Sequence, residues 1–383
     1  MKKYVYLQPK FRISRPMLIK FAVKNFRGFA ERIEWDLSHP SNYEFSPHAI
    51  KDGIIKNGII YGPNGSGKTN FGLALFDIVY HLTQNFKKSD YLRYYTFGGD
   101  PNGVVHFEYT FKFGSQIVEY QYSKNSTGVL VEESLSANGK RAFKRGLDSL
   151  SLDEQQFPIN SEAKKNLQSN ANNISIVNYL FTSYPLANDH YLILLQNFVN
   201  SMLWFRCLQV NEYIGLENSI TLLDEFVIKE GLIEDFTQFL LNVSGQSFEF
   251  VPPTPTDKFL MCKYATGTVP FDDIASTGTR SLQLLYYWLK KMGKASFVFI
   301  DEFDAYYHFK LAVEVCRQLF ALDCQVFTSS HNTHLMTNDL LRPDCNFILQ
   351  NNKIKPLQAC TEKELRFGHN IEKIYRADAF HVE

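Results

Sequence analysis

Residues 62–69 read Gly-Pro-Asn-Gly-Ser-Gly-Lys-Thr and fit the spacing G-x-x-x-x-G-K-[ST] at every fixed position. That pattern is suited to polyphosphate. Glycines at Gly62, Gly65 and Gly67 let successive backbone N–H groups turn inward and let the backbone approach an anion closely. Pro63, Asn64 and Ser66 fill the variable positions, and Asn70 follows the loop directly. Lys68 is expected to reach the β- and γ-phosphates, and Thr69 to offer its hydroxyl to Mg²⁺. A helix starting at the loop adds its partial positive charge. These residues predict a site for a nucleoside triphosphate.

Such a loop needs a second anchor for the metal, and Asp301 supplies one. It ends the apolar run Phe297-Val298-Phe299-Ile300, where an α/β sheet presents ligand groups. Glu302, the next residue, is expected to polarise the attacking water, and Asp304 follows on the same loop. His331 lies 30 residues after Asp301, at the end of another apolar strand, and is expected to sense the γ-phosphate; His334 is its neighbour. Ser276-Thr277-Gly278-Thr279-Arg280 places a hydroxyl and a glycine at the start of a helix, a second terminus able to hold an anion.

The elements that must position these groups can be read from periodicity. Ile59-Ile60 closes a buried strand before the loop, and Phe71–Leu82 reads as one helix with Phe71, Ala74, Leu75, Ile78, Val79 and Leu82 on one face. Leu18–Val23 and Arg32–Leu37 read as strands joined through a turn, and His39–Asn57 as a loop. Val104–Lys112, Gln116–Ser123, Val129–Leu135 and Lys140–Lys144 alternate as an antiparallel meander. Helical patterning follows at Ile174–Leu180, Tyr191–Val199 and Leu222–Val243, giving an inserted, mainly helical lobe over 148–251. Phe259–Ala265, Phe297–Asp301, Cys324–Thr328 and Asn346–Gln350 complete the strands, the last regarded as final before a polar tail. The predicted class is α/β: a phosphate-loop head with a mixed sheet and an antiparallel β lobe. Its core comprises residues 1–147 and 252–383.

Length and composition are compatible with this plan. A chain of 383 residues with 45% hydrophobic content can bury a large core. Lysine plus arginine equals aspartate plus glutamate at 40 each, which removes the gross basic footprint of a dedicated nucleic-acid binder. Six scattered cysteines without a C-x-x-C pair point to free thiols. No run approaches the roughly 18 apolar residues of a membrane span, no signal-peptide core opens the chain, and a cytoplasmic protein is expected. Met1–Arg15 is basic and aromatic and reads as an extended arm.

In this order, the phosphate loop, S-T-G-T-R, F-V-F-I-D-E and S-S-H-N resemble the ABC-type ATPases of the structural-maintenance and overcoming-lysogenization-defect kind. The stretches K-N-F-R-G-F at 24–29, H-N-T-H-L-M-T-N-D-L-L-R-P-D at 331–344 and E-L-R-F-G-H-N-I-E-K-I-Y at 364–375 are similar to bacterial AAA-type ATP-binding proteins with that head. Within them, the chain resembles the ATPase subunits of PARIS-type anti-phage systems.

The resemblance implies a head-to-tail homodimer binding ATP and Mg²⁺, with Ser276, Gly278 and Arg280 of one copy meeting the nucleotide of the other. Asp304 would line the seam and Arg27 would approach the nucleotide. The signature is S-T-G-T-R instead of L-S-G-G-Q, and Gln116 and Gln121 are the candidates for a metal-watching glutamine. Overcoming-lysogenization-defect proteins end in a Toprim nuclease with clustered acids. Here 33 residues follow Gln350 without a D-x-D, so an effector, Toprim-like by the resemblance, would be a separate chain. The expected function is an ATPase acting as sensor and regulator of that effector in anti-phage defence, a phage protein being a possible trigger. The alternative is a chromosome-type or DNA-repair ATPase binding duplex DNA across paired heads, and a third reading is a transporter ATPase with a membrane subunit.

Overall fold

The computed structural model describes residues 15–83, 90–169, 174–207, 212–217, 219–254 and 256–382. The expected N-terminal arm, apart from Arg15, lies outside them. Two seven-stranded sheets form the frame. The first contains β1 (Met17–Lys24), β2 (Ile33–Asp36), β4 (Val104–Phe113), β5 (Gln116–Asn125), β6 (Leu130–Ala137), β7 (Lys140–Arg145) and β8 (Leu150–Leu152). It runs antiparallel throughout in the order β8-β7-β6-β5-β4-β1-β2. Its strands alternate buried and partly exposed residues, as one packed face and one wet face require.

The second sheet contains β3 (Asn57–Tyr61), β9 (Met202–Arg206), β10 (Tyr213–Ile214), β11 (Phe297–Asp301), β12 (Gln325–Ser329), β13 (Asn346–Gln350) and β14 (Lys353–Pro356). Its order is β10-β9-β11-β12-β3-β13-β14, with the five inner strands parallel and both edges antiparallel. Every residue of β3, β11 and β12 is buried, which explains their unbroken apolar runs.

Helix α1 (Lys68–Leu75) lies between the sheets. Its Phe71 ring meets Phe21 at 5.6 Å and Trp35 at 5.5 Å on the antiparallel sheet. Trp35 also stands edge-on to Phe327 at 4.5 Å and Phe347 at 5.5 Å on the parallel sheet. The Trp35 indole thus touches both layers, and the Gln325 amide joins them again by bonding the Leu18 N–H and carbonyl.

The expected helix 71–82 is two helices, α1 and α2 (Asp77–Leu82), parted at Phe76. The apolar face is buried as expected, but Asp77 within it is also fully buried. Its Oδ2 accepts from the hydroxyls of Tyr91 and Tyr95, at 2.8 and 2.6 Å, and its Oδ1 from Tyr122 and the Lys124 ammonium, at 2.8 and 2.6 Å. Four donors satisfy a carboxylate that burial would otherwise make costly.

Segment 148–251 departs from the expected helical lobe. It does contain α3 (Ile176–Ser183), α4 (Tyr191–Asn200), α5 (Leu223–Lys229) and α6 (Ile233–Ser244). Yet Met202–Arg206 pairs in parallel with Phe297–Asp301 and belongs to the central sheet. Leu222–Val243, read as one helix, is split at Glu230–Leu232. Asn346–Gln350 is not the last strand, since β14 follows it, and 39–57 holds the short strand pair Ile50–Lys51 and Ile54–Ile55. A buried Glu133 joins the β lobe to the helices. It takes Arg145 Nη2 at 3.1 Å and caps α3 by accepting from Ser175 Oγ at 2.7 Å and Ile176 N–H at 2.8 Å. All six cysteines are free and buried. Among the described residues, no helix is long and apolar enough to cross a membrane.

Candidate functional site

The loops that follow β3, β11 and β12 meet at the carboxyl edge of the parallel sheet, where such sheets bind ligands. Gly62 leaves β3 so tightly that a Cβ there would stand 2.4 Å from the Leu349 carbonyl and 2.6 Å from Ser66 Oγ. Gly67 takes φ +99° at the start of α1, and a Cβ would meet Phe29 at 2.9 Å. Pro63, Asn64 and Gly65 are exposed on the crest. Ser66 Oγ is buried without a hydrogen-bond partner. The loop is a cradle of backbone amides with an unused hydroxyl.

Lys68 folds back over this cradle. Its Nζ lies 2.9 Å from the Gly62 carbonyl, 3.3 Å from that of Pro63 and 3.5 Å from His331 Nδ1. Burial holds its pKa below the ordinary lysine value, against the pull of Asp301 and Glu302. Burial, then the Lys68 charge, also hold the His331 imidazole below its usual value, favouring its neutral form.

Thr69 Oγ1 donates to Asp301 Oδ2 at 2.7 Å, and Ser329 Oγ to Asp301 Oδ1 at 2.6 Å. Burial raises the Asp301 pKa, while these two donors oppose it. Two hard oxygens so placed fit Mg²⁺, which prefers oxygen ligands and keeps several of its waters. Thr69 and Asp301 would hold the ion, which would neutralise developing phosphate charge.

Glu302 has φ +49°, an uncommon conformation for a residue with a side chain, and its N–H donates to Ser329 Oγ at 2.8 Å. That turn separates its carboxylate from the strand direction. Asp304 is tied to Ser330 Oγ at 2.8 Å and raised in pKa by burial.

Arg27 also lies in the left-handed region, at φ +48°. Its guanidinium reaches the Tyr91 carbonyl at 2.8 Å and Asn70 Oδ1 at 3.4 Å, which places it beside the first turn of α1.

Ser276 caps α7 (Thr277–Lys291), accepting from Thr279 N–H at 3.2 Å. Ser276 and Arg280 are exposed, and Gly278 is partly buried. Among the described residues they form no hydrogen bond or ion pair with residues 62–69. Farther along α7, Ser281 Oγ contacts Tyr307 Oη at 3.1 Å and the Cys207 carbonyl at 3.3 Å. The helix is therefore hooked both to the Asp304 loop and to the end of β9.

His334 pairs with Glu372 at 3.0 Å. Gln116 and Gln121 lie in β5 of the antiparallel sheet, opposite Phe113 and Glu108. Sequence reasoning missed Arg206, whose guanidinium reaches Asp301 and Glu302. Its signal was present: Met202-Leu203-Trp204-Phe205-Arg206 is an apolar run ending in a charge, like Phe297–Asp301.

Comparison with known proteins bears on the family. No curated protein matches the chain. Among solved structures it is similar to the SMC head domain from Thermotoga maritima, at 17% identity and TM-score 0.43, covering 88% of this chain and 98% of that one. An Smc head domain derived from Pyrococcus furiosus, bound to the C-terminal domain of ScpA, is 14% identical with TM-score 0.44, covering 89% and 95%. The recombination mediator RecF with ATP is 12% identical with TM-score 0.40, covering 90% and 100%. A family model described as "AAA domain, putative AbiEii toxin, Type IV TA system" matches residues 59–337, a span holding the phosphate loop, the carboxylate strand and His331. The chain belongs to that AAA-domain family.

Proposed function

We propose that the protein is an ABC-type ATPase that binds ATP with Mg²⁺ between two copies arranged head to tail. One observation carries this reading. Lys68, Thr69, Asp301, Glu302 and His331 converge on one edge of the sheet, while the capped start of α7 is exposed and unattached to them. Ser276, Gly278 and Arg280 are then available to a second copy's nucleotide. Glu302 would accept a proton from the attacking water, and Lys68 and neutral His331 would face the γ-phosphate. Asp304 would lie along the seam.

In this reading the ATP-held assembly regulates a separate effector in cytoplasmic anti-phage defence. The Toprim-like nature of that effector, and a phage protein as trigger, rest on the motif resemblance alone.

Subunit mixing tests the head-to-tail arrangement. Lys68→Ala removes the phosphate lysine, and Ser276→Arg blocks the opposing terminus. Each variant alone should be inactive. A 1:1 mixture should recover about a quarter of wild-type phosphate release, because half the random dimers are mixed and each keeps one of two sites. No recovery from two folded variants would rule out sites shared in this way.

A further inference from the structure

Arg206 is the last residue of β9 and pairs in register with Asp301 on β11, so the two side chains share one face of the sheet. Its guanidinium touches three carboxylates. Nε lies 3.4 Å from Asp301 Oδ2, Nη2 3.0 Å from Glu302 Oε2, and Nη1 3.2 Å from Glu212 Oε2. The first two belong to the proposed hydrolytic machinery, and the third lies just before β10. Nε is buried and makes no well-aligned hydrogen bond. Asp301 Oδ2 meanwhile accepts from Thr69. The contact with Asp301 is therefore electrostatic and longer than the one with Glu302.

We propose that Arg206 is a positioning residue that competes with the divalent ion for Asp301 and Glu302, with Glu212 as the partner it keeps when the ion is bound. The inference rests on the reading of Asp301 as a metal ligand. The physical basis is charge. Asp301 and Glu302 are adjacent carboxylates, and the guanidinium neutralises them from one side. A divalent ion held by Thr69 and Asp301 would bring two positive charges beside that guanidinium, and like charges so close repel even at an effective dielectric constant of about 20. Glu212 offers an anion on the far side, more exposed than Asp301. Letting go of Asp301 and Glu302 while keeping the Glu212 contact relieves the repulsion and frees the Glu302 carboxylate for water. The same step pulls on the backbone at Cys207, whose carbonyl accepts from Ser281 of α7. Metal occupancy is thereby coupled to the helix that presents Ser276.

Mn²⁺ serves as the probe, titrated by electron paramagnetic resonance into the full chain with saturating non-hydrolysable ATP analogue. Arg206→Gln should bind Mn²⁺ about tenfold more tightly than wild type, since a competing charge is gone. Glu212→Gln, which removes the partner that Arg206 would keep, should bind it several-fold more weakly. Affinity for the metal-free analogue in EDTA should change less than about twofold in both.

Unchanged or weakened Mn²⁺ binding in folded Arg206→Gln protein overturns the proposal. Should that variant fail to fold, unchanged or tighter binding by Glu212→Gln overturns it instead. A wild-type chain that holds analogue but gains no Mn²⁺ site would remove the metal reading and this inference together. A normal wild-type site with unresponsive variants would remove this inference alone.

Discussion

Thr69 and Asp301 are 232 residues apart in the chain, and their side-chain oxygens lie 2.7 Å apart. This contact links the first turn of α1 to the end of β11. The same two atoms are the oxygen donors for the proposed Mg²⁺, so one contact both closes the fold and marks the site.

Lys68→Ala should abolish nucleotide binding while leaving the fold intact. The ammonium bonds to loop carbonyls and packs no apolar core of its own. Fluorescent-ATP titration should show at least about a hundredfold weaker binding, roughly the loss of one buried charge-assisted contact. The melting midpoint without nucleotide should stay near wild type. Wild-type affinity would remove Lys68 from the phosphate site.

Glu302→Gln should bind ATP normally and hydrolyse it slowly. A positioned general base contributes about 10²- to 10⁴-fold, so phosphate release should fall by at least the lower figure. Equal turnover by this variant would sink the assignment of the base.

Glu133→Gln should destabilise the protein by about 3–5 kcal/mol, because Arg145 would be left as an uncompensated buried charge. The variant also weakens the cap on α3. Urea unfolding should show a lower midpoint. Glu133→Gln combined with Arg145→Met should recover part of the loss, and no recovery would place the cost in the cap instead of the pair.

Lys56 tests the pH dependence of a buried cation. It is 9% exposed, and among the described residues its Nζ donates to the Phe320 carbonyl, at 3.3 Å. Burial lowers its pKa from the ordinary lysine value of 10.5. The unfolded chain therefore holds this proton to higher pH than the folded chain. Stability from this residue is lost as pH falls through the folded pKa and regained as pH rises toward 10.5. Lys56→Met should raise the melting midpoint at pH 7, and the gain should shrink by pH 10. A gain that is constant with pH would assign it to packing alone.

Much of the candidate site was legible because its chemistry is local. The loop at 62–69 carries its own spacing, and Phe297–Asp301 and Gln325–Ser329 are buried on both faces, so their apolar runs stand out. Met202–Arg206 has the same character but sits among helices, where five apolar-rich residues do not separate strand from helix. Arg206 was lost with it. The break at Phe76 was hidden for another reason. Periodicity continued through it, and only the tertiary grouping of Tyr91, Tyr95, Tyr122 and Lys124 around Asp77 gives a buried carboxylate its place. The left-handed backbone at Arg27 and Glu302 likewise has no residue-type signal.

The Asp77 cluster has a mechanical consequence. Helix α1 begins at the phosphate loop and spans only eight residues before Phe76, and the next residue is held by four donors, two of them, Tyr122 and Lys124, from the antiparallel sheet. A short strut clamped at its far end cannot slide to absorb a push at its near end. A displacement at Gly67 would be passed along α1 toward the antiparallel sheet, which Trp35 also touches from between the layers.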